Sequence, residues 1–497
     1  MNERFKIRFL AVFSIILLCI ANTIKPLQND TFYIIKLGEY ISKYGVDLMD
    51  HYCWVTDLNY TYPHWLYDLI IYFIYYNFDF VGIYVSSIIL FIILILSLYL
   101  IILRFTKNEF ISLLSSFVSI GSLIGFVTAR AQLVTIILFL WQIYFIEKLI
   151  KTGRNKYIFF LVIISLLVAN MHATIWLFYF ILYLPFIGEH FIWKLSKFSW
   201  IRESFKELFN NDKIVIDKIN NINSLLVSFF ISFSMGILTP SKICYSYVFK
   251  VMQGDSQSYI VEHFPITIVE HPCFMAFIFV FLLILIFSST KIKLHEMFMI
   301  CGIILMSLFS VRHIVFFYVI CFIYFAIYFN NYLKEKNDKT LDILISILLK
   351  NKLIYLLVIV LIFTFSIIRF YDNKSFDYVP QKEYPVNAVK FIKNNLDINN
   401  IRLYNDYNYG SYLLFNDIPV FIDSRCDLYL KEFNDMDYSI FDDYSQIEYK
   451  YEKVFKKHNV THVLSLKKDI LSQILKKDLS YSMIYKDKYF VLFEKKT

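Results

Sequence analysis

Ser86–Leu103 reads SSIILFIILILSLYLIIL, eighteen residues without a charge. A helix of about 20 apolar residues crosses the hydrocarbon core of a bilayer. Arg104 and Lys107 follow directly, as basic residues do where a span reaches the cytoplasm. The pattern recurs along the 497 residues, 58% of them hydrophobic and 20% aromatic, with only 11 Gly and 9 Pro. No soluble core needs so much apolar surface, so the chain reads as a polytopic helical membrane protein. Its net charge of +8 belongs to the connections. With no Arg-rich patch interleaved with aromatics, the sequence gives no reason to expect a nucleic-acid partner. Seven scattered cysteines, none in a Cys-x-x-Cys pair, read as apolar fillers.

Placing Lys/Arg-rich connections inside predicts eleven spans, at about 9–24, 80–103, 110–128, 132–150, 157–169, 174–187, 222–238, 273–290, 294–310, 314–332 and 352–368. Arg4, Lys6 and Arg8 precede the first, which lacks a small-residue cleavage site and is taken as a span rather than a signal peptide. The N-terminus is then inside, and the last span delivers the chain outside a bacterial cytoplasmic membrane. Trp65–Phe78, rich in Tyr and Trp, reads as a helix lying in the interface. The expected organisation is an all-α membrane domain over 1–369, with external loops at 25–79 and 239–272, followed by a small external α/β domain over 370–497. In that domain Pro385–Asn395 reads as a helix. Ile401–Tyr404, Pro419–Asp423, His462–Leu466 and Tyr489–Glu494 read as strands, with helices around 430–458 and 468–476.

This topology brings Arg130, Gln132, Asn170, His172, Glu262, His263, Glu270, His271, Arg312 and His313 to one face, shared with the acidic opening loop Asp30–Asp68. Ionisable groups at membrane depth are costly and usually functional. Asp30 lies a few residues beyond the first span, at the depth where a lipid phosphate presents its head group. Its carboxylate is suited either to general base catalysis on an acceptor hydroxyl or to holding a divalent cation, Mg or Mn, against a phosphate. Asp47 and Asp50 share a face if their stretch is helical, giving a second acidic point. Arg130, His172, Arg312 and His313 are suited to the negative charge of a departing lipid phosphate. The pairs Glu262-His263 and Glu270-His271 are weaker candidates for metal binding. In the C-terminal domain Asp406, Tyr407 and Tyr409 offer a carboxylate and stacking rings for an acceptor, and His64 and Trp65 join them from the opening loop. Asp423, Arg425 and Asp427 read equally as a buried ion-pair cluster shaping a strand end.

The order of these features resembles that of the C-type (GT-C) polytopic glycosyltransferases, relatives of protein O-mannosyltransferases, aminoarabinose transferases and oligosaccharyltransferase catalytic subunits. The matching features are Asp30 after the first span, the Gly38, Gly45 and Asp50 run, PHWLYD (Pro63–Asp68), ARAQL (Ala129–Leu133), NMHA (Asn170–Ala173), VRH (Val311–His313), DYNYGSYL and FIDSRCDLY. Many relatives carry a second acid directly after the first, where this chain has Thr31; that second carboxylate is then either absent or supplied by Asp47 or Asp50. The tryptophans of the oligosaccharyltransferase signature are replaced by Leu403-Tyr404-Asn405 before Asp406. The resemblance implies Asp30 as catalytic carboxylate, a polyprenyl-phosphate-linked sugar as donor, and an envelope glycan, lipid or protein as acceptor. The alternatives are a transporter or lipid-linked glycan flippase, and a non-catalytic envelope assembly protein.

Overall fold

In the computed structural model of the chain, residues 3–496 are described apart from 56, 210, 254–260, 337–338, 341–342, 345–346, 348–349, 375 and 435. The loop 239–272 and the basic connection 334–339 therefore fall partly outside the described residues.

The helices of the first three-quarters of the chain are α1 (Glu3–Asn22), α2 (Asn29–Tyr44), α3 (Trp65–Thr106), α4 (Glu109–Leu123), α5 (Ala131–Thr152), α6 (Asn155–Met171), α7 (Trp176–Ile181), α8 (Leu184–Leu195), α9 (Ile222–Ser234), α10 (Pro272–Phe287), α11 (Leu294–Phe309), α12 (Phe322–Glu335) and α13 (Lys352–Lys374). An apolar helix stands at every predicted span. Among the described residues seven segments are long and apolar enough to cross a membrane: Phe5–Asn22, Trp65–Thr106, Glu109–Phe126, Ala131–Thr152, Ala173–Leu195, Val311–Glu335 and Lys352–Asn373. The helices Asn155–Met171, Ile222–Leu238, Pro272–Phe287 and Leu294–Phe309 are apolar but no longer than 17 residues. Length alone thus supports seven spans where eleven are predicted.

The interfacial helix and the second span are one interrupted element. Asp79, at φ 54° and ψ −157°, breaks α3, and its carboxylate accepts the Phe80 N–H at 2.8 Å. That bond caps the crossing half at the boundary the sequence suggests.

The opening loop is not a loop throughout. Residues 29–44 form α2, which buries Thr31, Phe32, Ile34, Ile35, Leu37, Gly38 and Ile41. It stops at Gly45, whose φ of +80° suits glycine. Asp47 and Asp50 therefore lie beyond the helix, and the expectation that they share a helical face is corrected. Gly38 is where α2 meets the first turn of α3: an added Cβ would collide with the Asp68 carbonyl.

Strands β1 (Ile214–Val215) and β2 (Ile292–Lys293) pair in parallel between the helices. The C-terminal sheet has the order β3-β4-β6-β5, formed by β3 (Leu403–Tyr404), β4 (His462–Leu466), β5 (Tyr481–Lys486) and β6 (Phe490–Lys495). β3 runs parallel to β4, and the other pairs are antiparallel. Helices α14 (Val386–Asn395), α15 (Tyr407–Phe415), α16 (Ile447–Lys457) and α17 (Ile470–Leu475) flank it. Two expectations are corrected here. Tyr481–Lys486 is a strand the reading missed, paired with β6 across a tight turn. Pro419–Asp423 is not a strand of this sheet, because its backbone pairs with the opening segment: Val420 N–H donates to Tyr52 O at 3.0 Å and Trp54 N–H to Val420 O at 3.1 Å.

The domain is thus completed by residues of the opening segment, which lie far before the last span in the chain. Phe32 packs edge-on or tilted against Phe80, Tyr384, Tyr412 and Phe415. Arg425, fully buried, pairs with Asp50 and with Asp423 at 2.7 Å. Tyr429 donates to Asp423 at 2.7 Å, and Asp50 also accepts the Cys53 N–H at 2.7 Å. Tyr60 lies under the guanidinium, 5.1 Å from ring centroid.

At the opposite end of the bundle His295 bonds Glu189 through Nδ1, and its Nε2 lies 3.4 Å from Glu147. Lys151 also pairs with Glu147, at 2.8 Å. This network joins α5, α8 and α11 and had no signal in the sequence reading.

Removing one member of a buried ion pair strands the other charge and costs about 3–5 kcal/mol. Arg425→Met should therefore lower the thermal unfolding midpoint sharply in detergent, whereas Arg425→Met with Asp50→Asn and Asp423→Asn should recover most of the loss. An unchanged midpoint in the single variant would contradict the role given to the pair.

Candidate active site

One end of the bundle holds a cavity of about 610 Å³ between the membrane helices and the α/β domain. Its floor is drawn from Asp30 and Tyr33 on α2, His64 before α3, Arg130 before α5, His172 after α6, and Glu262 and Arg312. Its roof comes from Tyr407, Asn408, Ser424, Asp427, Phe441 and Tyr444.

Asp30 stands in the first turn of α2. Arg130, the N-cap of α5, reaches it with Nε 2.7 Å from Asp30 Oδ2, and its Nη1 donates to Glu262 Oε1 at 3.0 Å. Burial works against the Arg130 charge, but Asp30 and Glu262 more than offset it and hold the group above its usual value. For Glu262 burial acts to raise the carboxyl, and Arg130 and Arg312 prevail to lower it.

Arg312 sits on the turn Val311–His313 that ends α11. The segment carrying Glu262 is laced to this turn by Val311 N–H to Phe264 O at 3.0 Å and Ser310 Oγ to Glu262 O at 3.0 Å. Arg312 Nη1 donates to His263 Nε2 at 3.1 Å. Burial and Arg312 push His263 down to about 4, so it is neutral and able to accept. His64 is likewise pushed down to about 3 by burial, then by Arg312 and Arg130. His172 is lowered well below its ordinary value by burial and His64. The two imidazoles lie 5.3 Å apart, and His172 Nδ1 is 2.9 Å from Thr135 Oγ1. The end of α6 is tied to this floor by Ala173 N–H to Pro63 O at 2.9 Å and Trp65 Nε1 to Asn170 Oδ1 at 3.0 Å.

The roof is anchored to α2 through Asn29 Nδ2, which donates to Tyr407 O at 2.8 Å. Asp406 caps α15 by accepting the Asn408 N–H at 2.8 Å and orients Tyr444, whose hydroxyl donates to it at 2.7 Å. Gly410 lets α15 sit on the Ile422 carbonyl, where a Cβ would collide. Asp427 accepts from Thr61 Oγ1 at 3.2 Å, and burial pushes it up to about 6.

Of the residues singled out in the sequence, Asp30, His64, Arg130, Gln132, His172, Glu262, Arg312, Tyr407, Arg425 and Asp427 line this cavity. Asp47, Asp50, Trp65, His313, Asp406 and Tyr409 do not. Asp47 accepts from Tyr40 at 2.6 Å and pairs with His51 at 2.7 Å; Asp50 is tied to Arg425. His313 stands behind Arg312 with Nδ1 3.2 Å from Met306 O. Trp65 and Asp406 position neighbours, as above, and Tyr409 is buried with its hydroxyl on Leu464 O at 2.8 Å. Asp427 is separate from the Asp423–Arg425 pair with which it was grouped. The reading overlooked Tyr33, one turn from Asp30 and visible once NDTFYIIKLGEYI is read with helical periodicity. It also overlooked Tyr247, Phe441 and Tyr444, which carry no local signal.

Glu262 and His263 are each turned to an arginine, and Glu270 bonds Thr267 at 3.0 Å, so these pairs do not assemble a metal site. Among the described residues, the group with three mutually close ligand atoms is Glu147, His295 and Glu296. It lies at the far end of the bundle, within the ion-pair network already described.

No protein-family model matches the chain, and no curated protein matches its sequence. Solved structures do match its fold. Archaeal oligosaccharyltransferase AglB from Archaeoglobus fulgidus, in complex with an inhibitory peptide and a dolichol-phosphate, aligns with a TM-score of 0.58 and 11% identity, over 92% of this chain and 69% of the archaeal one. The apo form of the Archaeoglobus fulgidus oligosaccharyltransferase gives 0.59 and 11%, over 93% and 69%. The form tethered to an acceptor peptide containing the NVT sequon gives 0.58 and 12%, over 92% and 69%. At such identities the likeness is one of fold, and it extends over nearly the whole of this chain. This chain, a polytopic apolar bundle followed by a C-terminal α/β domain, thus shares the fold of these solved structures.

Proposed function

We propose that the chain is a membrane glycosyltransferase that moves a sugar from a polyprenyl-phosphate-linked donor to a glycan, lipid or protein acceptor of the cell envelope, with Asp30 as catalytic carboxylate. One observation carries this reading: Asp30, Arg312 and the buried imidazoles of His64 and His172 line one cavity at an end of an apolar bundle, beneath a roof of rings and amides. A lipid phosphate held at the membrane surface and a polar acceptor entering from the C-terminal domain meet there. The dolichol-phosphate in the similar archaeal structure supports a lipid-phosphate carrier. The basic connections, Lys151–Lys156 among them, lie away from the cavity and favour an external cavity, with the N-terminus inside and the C-terminal domain outside.

In this reading Asp30 takes the proton from the acceptor hydroxyl as that oxygen bonds the anomeric carbon of the donor sugar. The bond from that carbon to the phosphate oxygen breaks, and its electron pair stays on the lipid phosphate. Arg312 meets the developing charge. His64 and His172, neutral at physiological pH, orient phosphate oxygens by hydrogen bonding rather than by charge. Tyr407, Asn408, Phe441 and Tyr444 receive the acceptor. Trp65, His313, Asp406 and Tyr409 hold these groups in place, and Asp47 and Asp50 secure the opening segment.

Membranes containing the protein, given labelled undecaprenyl-phosphate sugars, should transfer label to an envelope acceptor. Asp30→Asn should lower the rate by about 10²–10⁴-fold while leaving the unfolding midpoint in place; wild-type transfer by this variant removes Asp30 from the mechanism. Arg312→Ala should cost about 10²–10³-fold, mainly in kcat.

Asp427 adds a pH signature. The folded protein retains its proton up to about 6, whereas the unfolded chain releases it near 3.8. Folding therefore carries a penalty that is small below pH 4 and reaches about 3 kcal/mol above pH 6. Asp427→Asn should accordingly raise the unfolding midpoint at pH 8 and leave it nearly unchanged at pH 4.

A further inference from the structure

Asp30 and Glu262 converge from distant parts of the sequence on one positive group. That group is a side chain: Arg130 sets Nε 2.7 Å from Asp30 and Nη1 3.0 Å from Glu262. On the proposed glycosyltransferase reading, we infer that the Arg130 guanidinium occupies the place a divalent cation would take between these carboxylates, so that transfer proceeds with no metal ion bound in the cavity.

Ligand supply argues first. Mg²⁺ requires near-octahedral oxygen ligands at about 2.1 Å, and Ca²⁺ takes six to eight at about 2.4 Å. Asp30 is followed by Thr31, whose side chain is buried, so no second acid stands beside it. Asp47 and Asp50, the acids expected to fill that role, are held by Tyr40 and His51 and by Arg425. His263 is turned to Arg312. Among the described residues, Asp30 and Glu262 then stand on either side of a guanidinium, and Asp427, a further carboxyl of the cavity, accepts from Thr61 Oγ1.

Charge argues next. Asp30 and Glu262 face the guanidinium groups of Arg130 and Arg312, while His64, His172 and His263 are neutral. Two positive side chains thus already stand beside the two acids.

Placement argues last. Arg130 is fixed by its backbone at the N-cap of α5, with its N–H on Thr128 O at 2.8 Å and its carbonyl accepting from Leu133 at 3.2 Å. A planar guanidinium placed between two carboxylates differs from a point charge. It stands in ion-pair contact with Asp30 and, by its hydrogen bond to Glu262, keeps that residue and its laced segment against the Arg312 turn.

The purified full-length protein should be titrated with Mn²⁺ and followed by electron paramagnetic resonance, beside Asp30→Asn. The expected result is that the two proteins bind Mn²⁺ alike, including any ion taken by the distant Glu147–His295–Glu296 group. A Mn²⁺ signal in the wild type that disappears in Asp30→Asn overturns the inference whether or not transfer is detected. In membranes, transfer should persist within twofold in excess EDTA. Loss of transfer in EDTA with recovery in Mg²⁺ or Mn²⁺ also overturns the inference while leaving the glycosyltransferase reading intact; absence of transfer under every condition counts against that reading, and the resonance result still decides the role of Arg130. Arg130→Lys should retain folding and lose about 10²-fold in rate, because a point charge cannot bridge both acids.

Discussion

The Asp50–Arg425–Asp423 pairing is the tie on which the arrangement of this molecule depends. Asp50 belongs to the opening segment and the other two to the C-terminal domain, and all three side chains are withdrawn from solvent. A buried guanidinium needs its carboxylates in fixed places, so the pairing admits one docking of segment on domain. The backbone bonds around Val420 and the aromatic cluster on Phe32 set the same register. Every cavity wall refers back to this docking. Asp30 lies on the helix that the pairing positions, and the roof residues lie on the domain it captures.

Within the cavity the polar groups fall into two kinds. The carboxylates Asp30 and Glu262 and the cations Arg130 and Arg312 are charged and matched. The imidazoles are buried among those cations and neutral, which suits them to hydrogen bonding rather than to charge compensation. Asp427 departs from both kinds. It is a carboxyl with one hydroxyl partner, held toward its neutral form by burial alone. The cavity thus holds two carboxylates met by a guanidinium and a third carboxyl met by a hydroxyl.

Much of this was legible in the chain. The apolar runs and their basic ends located an apolar helix at every predicted span, and their bounds separated the interfacial and crossing halves of α3 between Phe78 and Phe80. The convergence of Asp30, Arg130, His172 and Arg312 followed from counting helices, since each lies where an apolar run stops. The roles of Asp47 and Asp50 were not legible. Deciding them required knowing that α2 ends at Gly45, and that Arg425 arrives from far along the chain to meet Asp50. The strand expected at Pro419–Asp423 has a strand's composition, but its partner is the opening segment rather than the sheet, and pairing partners are not written in local pattern.

The sequence by itself determined the solvent. Eighteen uncharged residues in a row must lie in lipid or in a core, and recurrence over so many segments leaves only a membrane bundle with its polar ends sorted by side. Tertiary structure alone decided which charge meets which. Asp30 precedes Arg130 by a hundred residues and Glu262 by more than two hundred. Electrostatic partnership depends on distance in space, and in the sequence these three were a catalytic acid, a phosphate ligand and a metal candidate. Folding brings both acids within 3.0 Å of a single guanidinium, and the inference of a cation built into the chain exists only there.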